Sequence, residues 1–329
     1  MDLIQRPRRL RTGAAIRQLV RETSISIGDF IYPLFVKEEA GKKREIPSMP
    51  KVYQLSLEHF LEELAEIKNL GIPGVLLFGI PEVKDEVGSR AYARDGIIQK
   101  ALRLGKERFP ELLFIADVCL CEYTSHGHCG IVKDGEIIND ASVDLMVKTA
   151  LSYAEAGADI LALSDMMDGR VGALRKALDR KGYIQTIVMA YGDKYASAFY
   201  GPLRGGAQSK PAFGNRQTYQ MDYDAPIGAD WQEALREVEQ DIAEGADIVM
   251  IKPALAYLDI VREISSRFPV PVAVYHVSSE YSLIKAAANK GWLDEKSVVL
   301  ESITRMKRAG AKIIISFFAK DLARWLQEV

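Results

Sequence analysis

The sequence predicts an α/β chain folded as a (β/α)8 TIM barrel with an N-terminal arm. Three observations carry this. Eight short apolar or β-branched runs alternate with segments of helical periodicity. Several of these runs, Ile248-Val249-Met250-Ile251 among them, lack apolar–polar alternation, as parallel strands covered on both faces do. Three helix-to-strand junctions also share one form: Ala156-Gly157-Ala158-Asp159, Glu244-Gly245-Ala246-Asp247 and Ala309-Gly310-Ala311-Lys312. Each puts glycine where a helix ends in a left-handed residue. Eight βα units in about 290 residues fit one barrel. An open doubly wound sheet is the alternative, but no G-x-G-x-x-G follows the first strand.

In chain order, residues 1–28 form the arm. Arg6, Arg8, Arg9 and Arg11 flank Pro7, and no apolar stretch follows, so this is not a secretory signal. An organellar transit peptide is poorly matched by Asp2 and Pro7, and a solvated or partner-contacting arm is the plainer reading. Residues 29–329 form the barrel. Its candidate strands are Phe30–Val36, Gly74–Phe78, Leu112–Val118, Asp159–Ser164, Tyr183–Tyr191, Asp247–Lys252, Val272–Val277 and Lys312–Phe318. Helical spacing shows in Phe60, Leu61, Leu64 and Ile67, and again in Leu235, Val238 and Ile242. Residues 200–230 break the rhythm, with Pro202, Pro211, Pro226 and five glycines, and are predicted to be irregular. In a barrel they follow the fifth strand on the C-terminal face, which suits an active-site lid. Arg204 and Arg216 suit an anionic ligand there. A passive surface insertion is the other reading.

The 329 residues carry 43 Lys+Arg against 45 Asp+Glu, a net charge of -2 that gives no case for nucleic-acid binding. A 48% hydrophobic, 27% charged composition is globular. No apolar run approaches the ~18 residues of a membrane helix. Three cysteines exclude a disulfide scaffold. A cytoplasmic location is the default.

Those cysteines form one motif: Cys119-Leu120-Cys121, then Cys129, with His126 and His128 in the same segment. Residues i and i+2 of extended chain point the same way, so two thiolates can share an ion, and a glycine-containing loop can fold the third back. Three soft ligands suit Zn²⁺, with the fourth position open to water or substrate. His128 as the fourth ligand would weaken that inference, and three ordinary buried cysteines are the bland alternative. Asp117 shares the strand parity of Cys119 and Cys121 and is expected to face the same cavity.

Lys252 ends an apolar strand, and Lys194 follows a predicted Gly192-Asp193 turn. At the C-terminal rim, a desolvated lysine near another cation becomes a nucleophilic amine able to form a Schiff base. Ser164 closes the fourth strand, and Asp168 can cap the helix after it.

Together these residues resemble the porphobilinogen synthase (δ-aminolevulinate dehydratase) family over essentially the whole chain. The marks are Asp117-Val118-Cys119-Leu120-Cys121 through Gly130, Ser164–Val171, Lys194 with Phe199-Tyr200-Gly201-Pro202, and Ile251-Lys252-Pro253 with Tyr257–Arg262. The cysteines mark the zinc-dependent branch. The resemblance implies condensation of two 5-aminolevulinate molecules to porphobilinogen with loss of two waters. It further implies an arm that embraces a neighbouring subunit in a homo-octamer. By motif position, Lys252 forms the Schiff base with the first substrate and Lys194 with the second. Zinc sits on Cys119, Cys121 and Cys129. Arg204 and Arg216 clamp the second carboxylate, Ser278 binds the first, and Asp117 and Ser164 line the first amino end. Glu237 matches an allosteric magnesium position. Phe317 stands where the family usually has a Tyr that donates to the first carboxylate, and Ser279, in place of a usual Gly, offers a hydroxyl in compensation. A single-lysine aldolase and a non-catalytic zinc-braced scaffold are the competing readings.

Overall fold

A computed structural model gives the fold and describes residues 3–223 and 230–328. Residues 1, 2, 224–229 and 329 lie outside the described residues, so Asp2 of the arm and Pro226 of the expected lid are not placed. The strands are β1 (Phe30–Lys37), β2 (Lys43–Ile46), β3 (Met49–Leu55), β4 (Gly74–Ile80), β5 (Leu113–Val118), β6 (Ile131–Lys133), β7 (Glu136–Ile138), β8 (Ile160–Leu163), β9 (Ile187–Lys194), β10 (Ile248–Lys252), β11 (Val272–His276) and β12 (Ile313–Ser316). Strands β1, β4, β5, β8, β9, β10, β11 and β12 pair in parallel in that order, and β12 returns to β1 to close the barrel. This is the α/β TIM barrel that the periodicity predicts.

Around it run α1 (Ala14–Leu19), α2 (Leu57–Asn69), α3 (Ile97–Arg108), α4 (Asn139–Glu155), α5 (Arg170–Arg180), α6 (Gly201–Gly206), α7 (Asp230–Glu244), α8 (Leu258–Arg267), α9 (Ser278–Asn289), α10 (Glu295–Ala309) and α11 (Ala319–Gln327). The shared junction works as its sequence implies. Gly157, Gly245 and Gly310 adopt φ of 102°, 107° and 123°, closed to most side chains, and turn α4, α7 and α10 into the next strand. Every residue of β4 and β10 is buried, which explains their unbroken apolar runs.

Four details depart from the sequence reading. The predicted fifth strand starts late, because Tyr183 closes the end of α5 through its N–H to Leu178 O. It also continues through Gly192 and Asp193 to Lys194, so there is no turn before that lysine. Between Ala190↔Val249 and Asp193↔Ile251, β9 spends three residues where β10 spends two. This β-bulge restores the inward direction of Lys194. Segment 200–230 is not wholly irregular, since Ala198–Tyr200 form a 3-10 turn that leads into α6. Pro202 sits in the first turn of α6, where no amide hydrogen is needed. The hairpins β2–β3 and β6–β7 were not foreseen. Finally, α5 is capped by left-handed Gly169, and the Asp168 side chain makes no capping bond to it.

The arm segments, the 3-10 turn Pro7–Arg11 and α1, bury no residue. Among the described residues no helix is long and apolar enough to cross a membrane.

Candidate active site and metal centre

The C-terminal ends of β5, β8, β9 and β10 meet around a small cavity. Its wall includes Asp117, Cys121, Ser164, Lys194, Arg204, Arg216 and Lys252, all named from the sequence. Its volume is about 20 Å³, about the room of one water. Tyr200, Leu203, Arg204, Ser209 and Arg216, from the segment after β9, contribute to its wall.

The two lysines are register partners on β9 and β10, and both are buried. Lys194 Nζ donates to the carbonyl of Ser164. Lys252 Nζ lies over the ring of Tyr275 at 4.3 Å, with the rings of Tyr191 and Tyr200 each at 5.3 Å. Burial, then the charge of Lys194, brings the Lys252 amine down to about 7; Asp117 and Glu122 pull the other way. For Lys194, burial also disfavours the charge, but Cys129, Cys119 and Cys121 outweigh it and the net shift is upward. A cation on the sulfurs would cancel that pull.

Asp117 accepts from Ser164 Oγ at 2.8 Å and from Tyr191 Oη at 3.0 Å. Burial and then Glu122 raise its carboxyl to about 7, against the pull of both lysines. It can therefore hold or release a proton near neutrality.

The cysteines converge, but not as extended chain. Strand β5 stops at Val118, and Cys119 and Cys121 lie on the turn after it, with their sulfurs 3.2 Å apart. Gly127, at φ 71°, helps return the chain to Cys129. All three are free and buried, with sulfurs mutually within 4.8 Å. Tetrahedral zinc with Zn–S bonds of about 2.3 Å needs sulfurs roughly 3.8 Å apart, so the trio fits a soft cation after small adjustment. Burial pushes the Cys119 thiol up, while hydrogen bonds from Cys119 and Cys121 push Cys129 well down. His128 is not aimed at the sulfurs: Nδ1 meets Tyr219 Oη at 3.1 Å and Nε2 meets Phe213 O at 3.0 Å.

Arg216 is held by Gly127 O at 2.9 Å and Ser209 O at 2.7 Å. Burial and then Arg216 lower the Arg204 guanidinium, so two cations crowd one wall. The Nε atoms of both are buried without a partner. That is a setting for an anion.

Ser278 and Phe317 sit beside the cavity rather than on its wall. Ser278 Oγ accepts from Leu203 N at 2.9 Å and donates to Phe199 O at 3.5 Å. The Phe317 ring packs with Phe35, Tyr275 and Tyr281 at 6.1, 6.2 and 5.8 Å. Ser279 lines an outer groove with Pro202 and Leu283, so its hydroxyl does not stand in for the one absent at 317. Glu237, on α7, is not on this cavity's wall: with Glu233, Asp168 and His128 it lines a different cleft of about 730 Å³.

Sequence reasoning missed Glu122 and Tyr191. Glu122 is buried on the cavity wall, raised to about 8 by burial and then Cys121. Its only sequence signal was adjacency to Cys121. Tyr191 was hidden by the bulge, which alters strand parity.

The delta-aminolevulinic acid dehydratase family pattern matches residues 4–325. A delta-aminolevulinic acid dehydratase of Halalkalibacterium halodurans is 56% identical over 324 residues, covering 98% of this chain and 97% of that protein. The Bacillus subtilis protein of the same name is 53% identical over 323 residues and covers 98% of each. A crystal structure of the Toxoplasma gondii delta-aminolevulinic acid dehydratase (porphobilinogen synthase), in complex with the reaction product porphobilinogen, superposes with a TM-score of 0.96. It is 43% identical and covers 99% of this chain and 93% of that one. A register-paired couple of buried lysines beside three converging sulfurs thus accompanies likeness along nearly the whole chain, which belongs to the delta-aminolevulinic acid dehydratase family.

Proposed function

We propose that the chain condenses two molecules of 5-aminolevulinate to porphobilinogen with loss of two waters. The observation that carries this is the pairing of Lys194 with Lys252 on one wall, beside Cys121 and two arginines. Two identical keto acids need two amines, separate anion sites, and something to distinguish them.

Lys252, brought to about 7, is about half neutral amine near neutral pH. It attacks the keto carbon of the first substrate and expels its oxygen as water, leaving a Schiff base. The tyrosine rings around Nζ favour the resulting cation. Asp117, bridged by Ser164 and Tyr191, orients the first amino group and moves a proton at its carboxyl. Ser278 Oγ, whose proton makes only a long 3.5 Å bond to Phe199 O, turns it to the first carboxylate. Lys194 attacks the second keto carbon and expels its oxygen as the second water, Arg204 and Arg216 grip the second carboxylate, and each lysine leaves as a free amine when the carbon it holds is joined to the other substrate. Zinc on Cys119, Cys121 and Cys129, when bound, supplies Lewis acidity toward the second substrate's amine or water. Holding both substrates together makes their joining effectively intramolecular.

The segment 200–230 acts as lid, since its residues 200–216 already cover the closed cavity. Glu237 would hold a regulatory magnesium ion in the outer cleft. Residues 1–28 embrace a second copy in a homo-octamer, which would cover the exposed Leu3, Ile4, Leu10 and Leu19. Free thiols suit a reducing cytoplasm.

The test is the pyrrole colour reaction with 5-aminolevulinate. Product should form, disappear on chelation and return with zinc but not with magnesium alone. No pyrrole from zinc-loaded protein refutes the proposal.

A further inference from the structure

The reactive amine of Lys194 depends on a bulge, and something must hold that bulge. A bulge leaves backbone outside the regular ladder. Here it spans Tyr191 to Asp193, directly before Lys194. Arg170, buried at the start of α5, reaches it from outside the barrel. Its Nη2 donates to Tyr191 O at 3.2 Å and to Asp241 Oδ2 at 3.2 Å, and its Nη1 donates to Met167 O at 3.1 Å. Asp241, on α7, is equally buried and fixes the guanidinium from behind.

Those three anchors belong to three different elements. Tyr191 is in β9, the first residue of the bulge and three residues before Lys194. Met167 is on the loop that carries Ser164, whose carbonyl receives Lys194 Nζ. Asp241 is on the covering helix. One planar fork therefore ties the base of the Lys194 side chain to the acceptor at its tip. Arg170 does not line the cavity, and among the described residues its hydrogen bonds reach β9, α7 and the loop after β8 but not β10. We infer that Arg170 is a positioning residue that aims Lys194, and not Lys252, by gripping the β9 bulge through Tyr191 O. This rests on the proposed Schiff-base role of the two lysines.

The test compares the two lysines within one sample. The unaltered protein, Arg170→Lys and the double variant Arg170→Met/Asp241→Leu are incubated with 5-aminolevulinate, reduced with borohydride, and mapped by peptide mass. A lysine at 170 can meet Asp241 but cannot serve both carbonyls in one plane. The double variant removes the buried ion pair as a unit, so that neither member of the pair is left facing the other's absence, which favours folding over the single deletion. Because unfolded molecules label neither site, the Lys194-to-Lys252 ratio reports folded protein only. The ratio should fall roughly 10- to 100-fold, the usual consequence of ångström-scale misplacement, while Lys252 labelling stays within about twofold. A ratio unchanged in both variants overturns the inference, as does a parallel loss at both lysines. Absence of label at both lysines in the unaltered protein instead defeats the proposed function, and this inference falls with it.

Discussion

Replacing Lys194 by Met should move the titration of Lys252 upward. The amine stands at about 7 against an ordinary 10.5, with burial the first cause and Lys194 the second. That drop corresponds to about 5 kcal/mol. Charges based on neighbouring strands, roughly 5 Å apart, repel by about 3 kcal/mol at an effective dielectric near 20. The tip of Lys194 is drawn aside to Ser164 O, which reduces the repulsion. Without it the Lys252 amine titrates roughly one to two pH units higher, and burial supplies the rest of the shift. At pH 7 the neutral fraction then falls from about half to between about one in ten and one in a hundred. The assay is cyanoborohydride trapping of levulinate on Lys252 between pH 6 and pH 10, followed by peptide mass and normalised to folded protein. Trapping needs the neutral amine, so its rate climbs through the pKa. A midpoint that does not move in Lys194→Met shows that burial alone sets the Lys252 amine, and refutes the charge-coupling argument.

The same amine has a stability signature: its folded value lies below 10.5, so the unfolded chain binds the extra proton between about pH 7 and 10.5, and stability rises with pH there. Lys252→Met should therefore stabilise the fold by up to several kcal/mol below pH 7, with the gain fading by pH 10.5, read from urea melts across that range. Cys129→Ser should cut bound zinc by at least about tenfold in elemental analysis and abolish pyrrole formation, yet leave Lys252 trapping intact; retained turnover without metal would exclude a catalytic ion. On the proposed placement of the first substrate, Phe317→Tyr adds a donor near its carboxylate, and a hydrogen bond to a charged group is worth roughly 1.5–3 kcal/mol, so the Michaelis constant should fall about tenfold; an unchanged constant means the hydroxyl is not missed. Gly310→Ala places a methyl 2.1 Å from Ser265 Oγ at φ 123°, and should destabilise by roughly 2 kcal/mol or more in thermal melts.

What could be read from the sequence was local. Periodicity marks all eight barrel strands, since burial on both faces is written into β4 and β10 as unbroken apolar runs. The left-handed glycines at 157, 245 and 310 mark helix ends, because φ is a property of one residue. The cysteine cluster is visible because its members are close in the chain. A local signal was also overlooked: Asp134-Gly135, with φ of 53° and 82°, is the turn of the β6–β7 hairpin.

Tertiary structure decided the rest. Strand parity pointed Asp117 inward correctly, but one extra residue in β9 inverts parity, so neither the aim of Lys194 nor the place of Tyr191 follows from counting. Only barrel closure makes Lys194 and Lys252 register partners, and only the folded loops set Arg204 and Arg216 on their wall. The sequence by itself determined which segments build the barrel and singled out Asp117, Cys121, Ser164, Lys194, Arg204, Arg216 and Lys252 of the cavity wall, through periodicity, motif and backbone preference acting over a few residues. Which of those side chains face one another was left to the closed sheet, because direction and partnership depend on register between distant segments, and register is fixed by packing rather than by any short stretch of chain.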